Sequence, residues 1–187
     1  MTGFAPGEVR TGQAYEAERA ASRDALAASA PLRRVRLADD LVLVFQTRAT
    51  VRSALEEVLR GERVDDAGQV AAETAAFAAL LAGPTQLAAT LFVDVPDPVE
   101  LADRLTQLPN LAEAVFLELG SRRLPARRDG DEDGSGVFHL TFELGQDGPA
   151  VLHSGIEAAV VVDHPACRAR AVMSPDQVAA VAVDLAE

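Results

Sequence analysis

The sequence predicts an α+β fold: a largely antiparallel sheet with helices packed mainly on one face, plus an N-terminal helix. Three observations predict it. Short runs rich in Val, Leu and Phe come in pairs joined by tight turns, as at 32–37 with 41–45 and at 156–162 with 167–173. Other segments carry apolar residues at helical spacing behind capping residues. The order mixes hairpins with helices and does not alternate strand and helix strictly, which disfavours a doubly wound parallel sheet.

Taken in order, residues 1–12 hold Gly, Pro and Thr without apolar period and read as a mobile tail, leaving 13–187 as a single α+β domain. Residues 13–29 form an Ala-rich helix on which Glu16, Arg19 and Arg23 stand at ion-pairing distance along one face. With few large apolar residues, Tyr15 and Leu26 among them, this helix is expected to pack weakly or against a partner. Two strands at 32–37 and 41–45 meet at the Asp39-Asp40 turn. A helix follows at 50–60, where Val51, Ala54, Leu55, Val58 and Leu59 make a buried face and Gly61 suits the C-terminal cap. Asp66 opens a second helix to Leu81, with Val70, Thr74, Phe77 and Leu81 as its stripe.

After a strand at 87–95, Asp97-Pro98-Val99-Glu100 starts a helix: a capping aspartate, a first-turn proline and a glutamate where a capping box places it. A strand returns at 112–119. Residues 121–136, four arginines followed by acidic residues and glycines, read as a surface loop. Residues 136–144 alternate, with Phe138, Leu140, Phe142 and Leu144 on the core face and Val137, His139, Thr141 and Glu143 on the wetter one. Strands at 156–162 and 167–173 flank a turn at 163–166, and Ser174-Pro175-Asp176-Gln177 caps a last helix to Leu185.

The chain has 187 residues, enough to bury roughly 70% of the surface its unfolded form exposes. Half the residues are hydrophobic (49%) but only 4% aromatic, with no Trp, so Leu, Val and Ala must build the core. All 17 basic residues are Arg and the net charge is −12, which argues against nucleic acid or an anionic membrane surface as partner. The single cysteine, Cys167, excludes an intrachain disulfide. The start of the sequence lacks a signal-peptide pattern and no run reaches the 18 or so apolar residues of a membrane span. Cytoplasmic location is the expectation.

Few residues carry recognisable chemistry. His164 and Cys167 have a spacing that could meet one metal, but a structural zinc site needs four ligands and no second pair exists. If the 136–144 strand neighboured the 156–162 strand, His139 and His164 could converge with Glu143 or Asp163 on iron or another divalent metal. Alternation alone also explains His139 as an exposed strand residue, and a hairpin turn explains the His164–Cys167 segment. Glu56, Glu57, Arg60, Glu62 and Arg63 form a dense charged group, with Glu56 and Arg60 as an i,i+4 pair on a solvated helix face. Phosphate loops, nucleophile elbows and dinucleotide fingerprints are missing.

Five segments in order resemble the bacterial family known as domain of unknown function 3501: residues 41–45 (LVLVF), 55–63 (LEEVLRGER), 87–91 (LAATL), 137–142 (VFHLTF) and 163–165 (DHP). The sequence departs from the family pattern at Gln46 and Thr47 and at 77–81. The resemblance implies a cytoplasmic protein often encoded near rubrerythrin-like di-iron proteins and iron–sulfur oxidoreductases, with no established reaction. It leads to the expectation of an accessory or partner subunit of a non-haem, ferritin-like oxidoreductase system. The alternative is a metal-dependent enzyme with His139 and His164 as ligands and Glu57 or Glu62 as a further ligand or base. A third reading is a small-molecule module whose Arg60 and Arg63 clamp a carboxylate.

Overall fold

The computed structural model of the protein describes residues 3–5, 7–130 and 134–186. The chain divides into two compact units: one comprises the residues up to Pro31 with Gln46–Gly83, the other Leu32–Phe45 with Pro84 onward. Among the described residues the second unit holds eight strands: β1 (Arg34–Arg36), β2 (Leu41–Phe45), β3 (Gln86–Val93), β4 (Val115–Leu119), β5 (Arg122–Asp129), β6 (Val137–Glu143), β7 (Ala158–His164) and β8 (Cys167–Val172). They form one antiparallel, nearly barrel-shaped sheet in the order β1-β2-β3-β6-β5-β4-β7-β8.

Alternation along the strands builds its core. Leu41, Leu43 and Phe45, Leu87 and Leu91, Phe138, Leu140 and Phe142, and Val160 and Val162 are all buried in one cluster. The rings of Phe45 and Phe142 stand 6.4 Å apart, tilted by 46°. The core face expected for residues 136–144 is therefore the one observed. Helices of this unit start where local chemistry says they should. For α4 (Pro98–Gln107), Asp97 accepts from the amides of Val99 and Glu100. For α6 (Pro175–Val183), Ser174 and Gln177 form a reciprocal capping box. A short helix, α5 (Gly148–His153), with Pro149 in its first turn, lies between β6 and β7.

Two expectations are corrected. The helices are not clearly packed on one face of the sheet, and the nearly closed sheet shares its core between strand side chains and helix residues such as Val178, Val181 and Ala182 of α6. The 121–136 segment is not wholly a surface loop: its first half is β5, paired with both β4 and β6, although Asp131–Asp133 lie outside the described residues. Its arginines come as two adjacent pairs, Arg122–Arg123 and Arg127–Arg128, and find partners within the unit. Arg123 stacks on the Phe116 ring at 4.0 Å and pairs with Asp163 at 3.0 Å, and Arg122 pairs with Asp147.

The first unit is helical, with α1 (Gly12–Ser29), α2 (Arg48–Gly61) and α3 (Ala67–Ala78). A capping box between Thr47 and Thr50 starts α2, whose Val51, Leu55 and Leu59 are buried together with Tyr15 of α1. So α1 does not lack an anchor: its one aromatic residue is 1% exposed. Of the segment read as a mobile tail, Met1, Thr2 and Pro6 lie outside the described residues. Farther along it, Arg10 bonds to Glu56 and Glu8 pairs with Arg48. Asp66 caps α3 by accepting from the amide of Gln69, as its position suggested.

Candidate functional site

The strand order keeps the two histidines apart, because β5 and β4 stand between β6 and β7. His164 is 7% exposed and satisfied at both ring nitrogens. Its Nε2 donates to the carbonyl of Pro109 (3.0 Å) and its Nδ1 accepts from the amide of Ala166 (3.1 Å), so the turn itself uses the imidazole. Cys167 lies opposite His164 in the β7–β8 register and is half-buried. His139 sits on β6 across from Thr90 and Asp129, with Nδ1 3.3 Å from the Thr90 hydroxyl. Among the described residues no three His, Cys, Asp or Glu side chains gather closely enough to hold a metal ion. Glu57 and Glu62, the proposed base or further ligand, belong to the helical unit and the histidines to the sheet unit.

In the helical unit the charged group does more than solvate a surface. Glu56 is 1% exposed, and a carboxylate so far from water must be paired. Arg10 supplies the pairing: its amide and its Nε donate to Glu56 Oε1 at 2.9 and 3.1 Å, and Arg52 lies 4.0 Å away. Glu56 is thus taken by Arg10, and the expected Glu56–Arg60 pair does not form; Arg60 turns to Glu16 of α1. Glu57 accepts two bonds from Arg19 of α1, at 2.8 and 3.2 Å. Arg19 thereby holds the Glu57 carboxyl below its ordinary range, and the Tyr15 hydroxyl adds to that effect. Burial, reinforced by Glu57, pushes the Tyr15 phenol up. Its hydroxyl is buried without a hydrogen bond of ordinary geometry. Three charges read as on-helix pairs or catalysts, Glu16, Arg19 and Glu57, instead fasten α1 to α2.

The end of α2 departs from expectation in an informative way. Gly61 is still helical and Glu62 is the C-cap, exposed to solvent. The amide of Arg63 bonds to the carbonyl of Arg60 (3.2 Å) and that of Val64 to Leu59 (2.8 Å). This pair of bonds is the Schellman arrangement, whose left-handed residue is usually glycine. Here Arg63 takes it, at φ 54°. Arg60 and Arg63 do come together, on one cleft of about 240 Å³ that Tyr15, Glu56, Leu59 and Asp65 also line. Sequence reasoning missed Arg10, Tyr15 and Asp65 as parts of this region. A signal for the cap was present: Val64 offers the apolar residue that packs on Leu59 in such a motif.

The architecture defines a class, an α+β protein that joins a curled antiparallel sheet to a helical unit whose charged residues are largely used in its own assembly. Within that class the chain belongs to DUF3501, a family described as a protein of unknown function, whose model matches residues 5–185. The resemblance read from five short segments thus extends over nearly the whole chain. Among solved structures, a novel protein of unknown function from Burkholderia pseudomallei K96243 is similar to it. That protein is 27% identical, with a TM-score of 0.89 over 98% of this chain and 99% of the other. No curated protein matches the chain significantly. No helix among the described residues is long and apolar enough to cross a membrane.

Proposed function

We propose that the protein is an accessory subunit that docks on a rubrerythrin-like or other ferritin-like di-iron oxidoreductase, with α3 as the docking element. The outer face of α3 carries this reading. Gly68, Ala71, Ala72, Ala75, Ala76 and Ala79, at its C-cap, recur at the spacing of a single helical stripe, and all are exposed. None is charged, and no residue of the helix is buried. Small residues let a second helix approach closely, and ferritin-like proteins present helices as their outer surface. The family association described above supplies the partner class. Use of Glu56, Glu57 and Arg60 in ion pairs within the helical unit favours a binding role over a catalytic one.

Co-expression with a rubrerythrin-like di-iron protein encoded in the same genome tests it. A complex that co-purifies and elutes as one species in gel filtration is the expected result. Ala72→Glu with Ala76→Glu, which changes helix propensity little, should leave circular dichroism intact and abolish the complex. Failure of the parent chain to associate, or undiminished association by the double variant, overturns the assignment.

A further inference from the structure

The cleft at the end of α2 plays no part in docking through α3, and its walls have a composition of their own. Tyr15, Leu59 and Val64 give it an apolar side. Arg63 and Asp65, two residues apart and opposite in sign, both line it, yet among the described residues neither side chain forms a hydrogen bond or an ion pair, with the other or with anything else. Beside them Arg60 and Glu16 line the same cleft as a paired couple. Arg63 stands at φ 54° where glycine would be unstrained, so the chain keeps a guanidinium at this place against a conformational cost. Strain retained at a cleft beside two unpaired charges of opposite sign suits a ligand that carries both signs itself. The volume, about 240 Å³, falls below the roughly 300–1,000 Å³ of sites for drug-sized molecules.

We propose that this cleft binds a free α-amino acid with a short apolar side chain. Arg63 receives the carboxylate in the forked geometry that guanidinium offers, with Arg60 alongside. Asp65 receives the ammonium, and the side chain lies against Tyr15, Leu59 and Val64. The two ends of the ligand thereby satisfy charges that the chain leaves apart.

Isothermal titration calorimetry on the full chain tests this with L-valine and L-alanine as probes, against propionate and isopropylamine as their separate halves. At least one amino acid should bind saturably and at least tenfold more tightly than either half-molecule. Arg63→Gly and Asp65→Asn should each weaken that binding at least tenfold, and Arg63→Gly should do so while melting no lower than the parent chain. The proposal is overturned if neither amino acid binds, if propionate binds as tightly as the amino acids, or if Arg63→Gly binds as well as the parent. None of these results bears on docking through α3, which is scored by co-purification.

Discussion

Replacing Arg63 by glycine should stabilise the helical unit. Arg63 closes the Schellman turn after α2 at φ 54°, with the Arg63–Arg60 and Val64–Leu59 bonds both in place. A side chain in the left-handed region costs about 1–2 kcal/mol through its Cβ. Glycine removes that cost but brings about 0.5–1 kcal/mol of extra unfolded-state entropy, so the net gain is about 0.5–1 kcal/mol. Arg63→Ala retains the strain, and the difference between the glycine and alanine variants therefore isolates the backbone from the lost guanidinium. Tyr15 is the only tyrosine, Trp is absent, and Tyr15 is buried in the same unit, so its fluorescence during urea unfolding reports on that unit selectively. With a urea slope of about 1–3 kcal/mol per molar, the midpoint should rise by several tenths of a molar. An Arg63→Gly chain less stable than Arg63→Ala would refute the argument, since no arrangement of side-chain contacts can make glycine the worse residue at a strained left-handed position.

Three further outcomes are expected. Absorbance titration near 295 nm should place the Tyr15 phenol above its ordinary value of 10.0, because burial and the Glu57 carboxylate both oppose tyrosinate, and Glu57→Gln should bring the midpoint down. Glu8 and Glu57 are both lowered, chiefly by their bonds to Arg48 and Arg19, so each binds protons less readily folded than unfolded. Their stabilisation is therefore present above about pH 4.5 and is lost as the pH falls below it; melting temperature measured from pH 7 to 3 should drop on that limb, and less steeply in Arg19→Ala. His164→Ala strips the Pro109 carbonyl and the Ala166 amide of their partner and should cost about 2–3 kcal/mol in urea unfolding followed by circular dichroism, whereas an unchanged midpoint would show the buried imidazole to be dispensable.

Elements with local chemistry were legible. Asp97-Pro98 and Ser174-Pro175 announce α4 and α6 because a cap and a pre-set φ need only neighbouring residues. The 136–144 strand was legible because one face is wholly apolar. By contrast β5 was hidden: Arg122, Arg123, Arg127, Arg128 and Pro125 form a strand only because β4 and β6 offer them ladders, and those partners are set by topology. The same non-local order separates His139 from His164, although each is correctly placed on its own strand or turn. In the helical unit, the charged group was visible but its pairing was not, since Arg10, Glu16 and Arg19 reach α2 across 38 to 46 residues of chain. Gly61 drew the left-handed position of the helix end two residues too early, because composition favours glycine there while the hydrogen bonds choose Arg63.

The way β5 is shared has a mechanical side. Its first half, Arg122 to Pro125, pairs with β4, and its second half, Ala126 to Asp129, pairs with β6. Tension applied between β2 and β8 must cross β5 through two short ladders of four residue pairs each, while the β2–β3 and β4–β7 ladders on that path have five, the β7–β8 ladder six and the β3–β6 ladder seven. Antiparallel hydrogen bonds lie across the strands, so such a pull opens them one after another like a zip. The sheet would tear first along β5, parting into two sets of strands that each keep their longer seams.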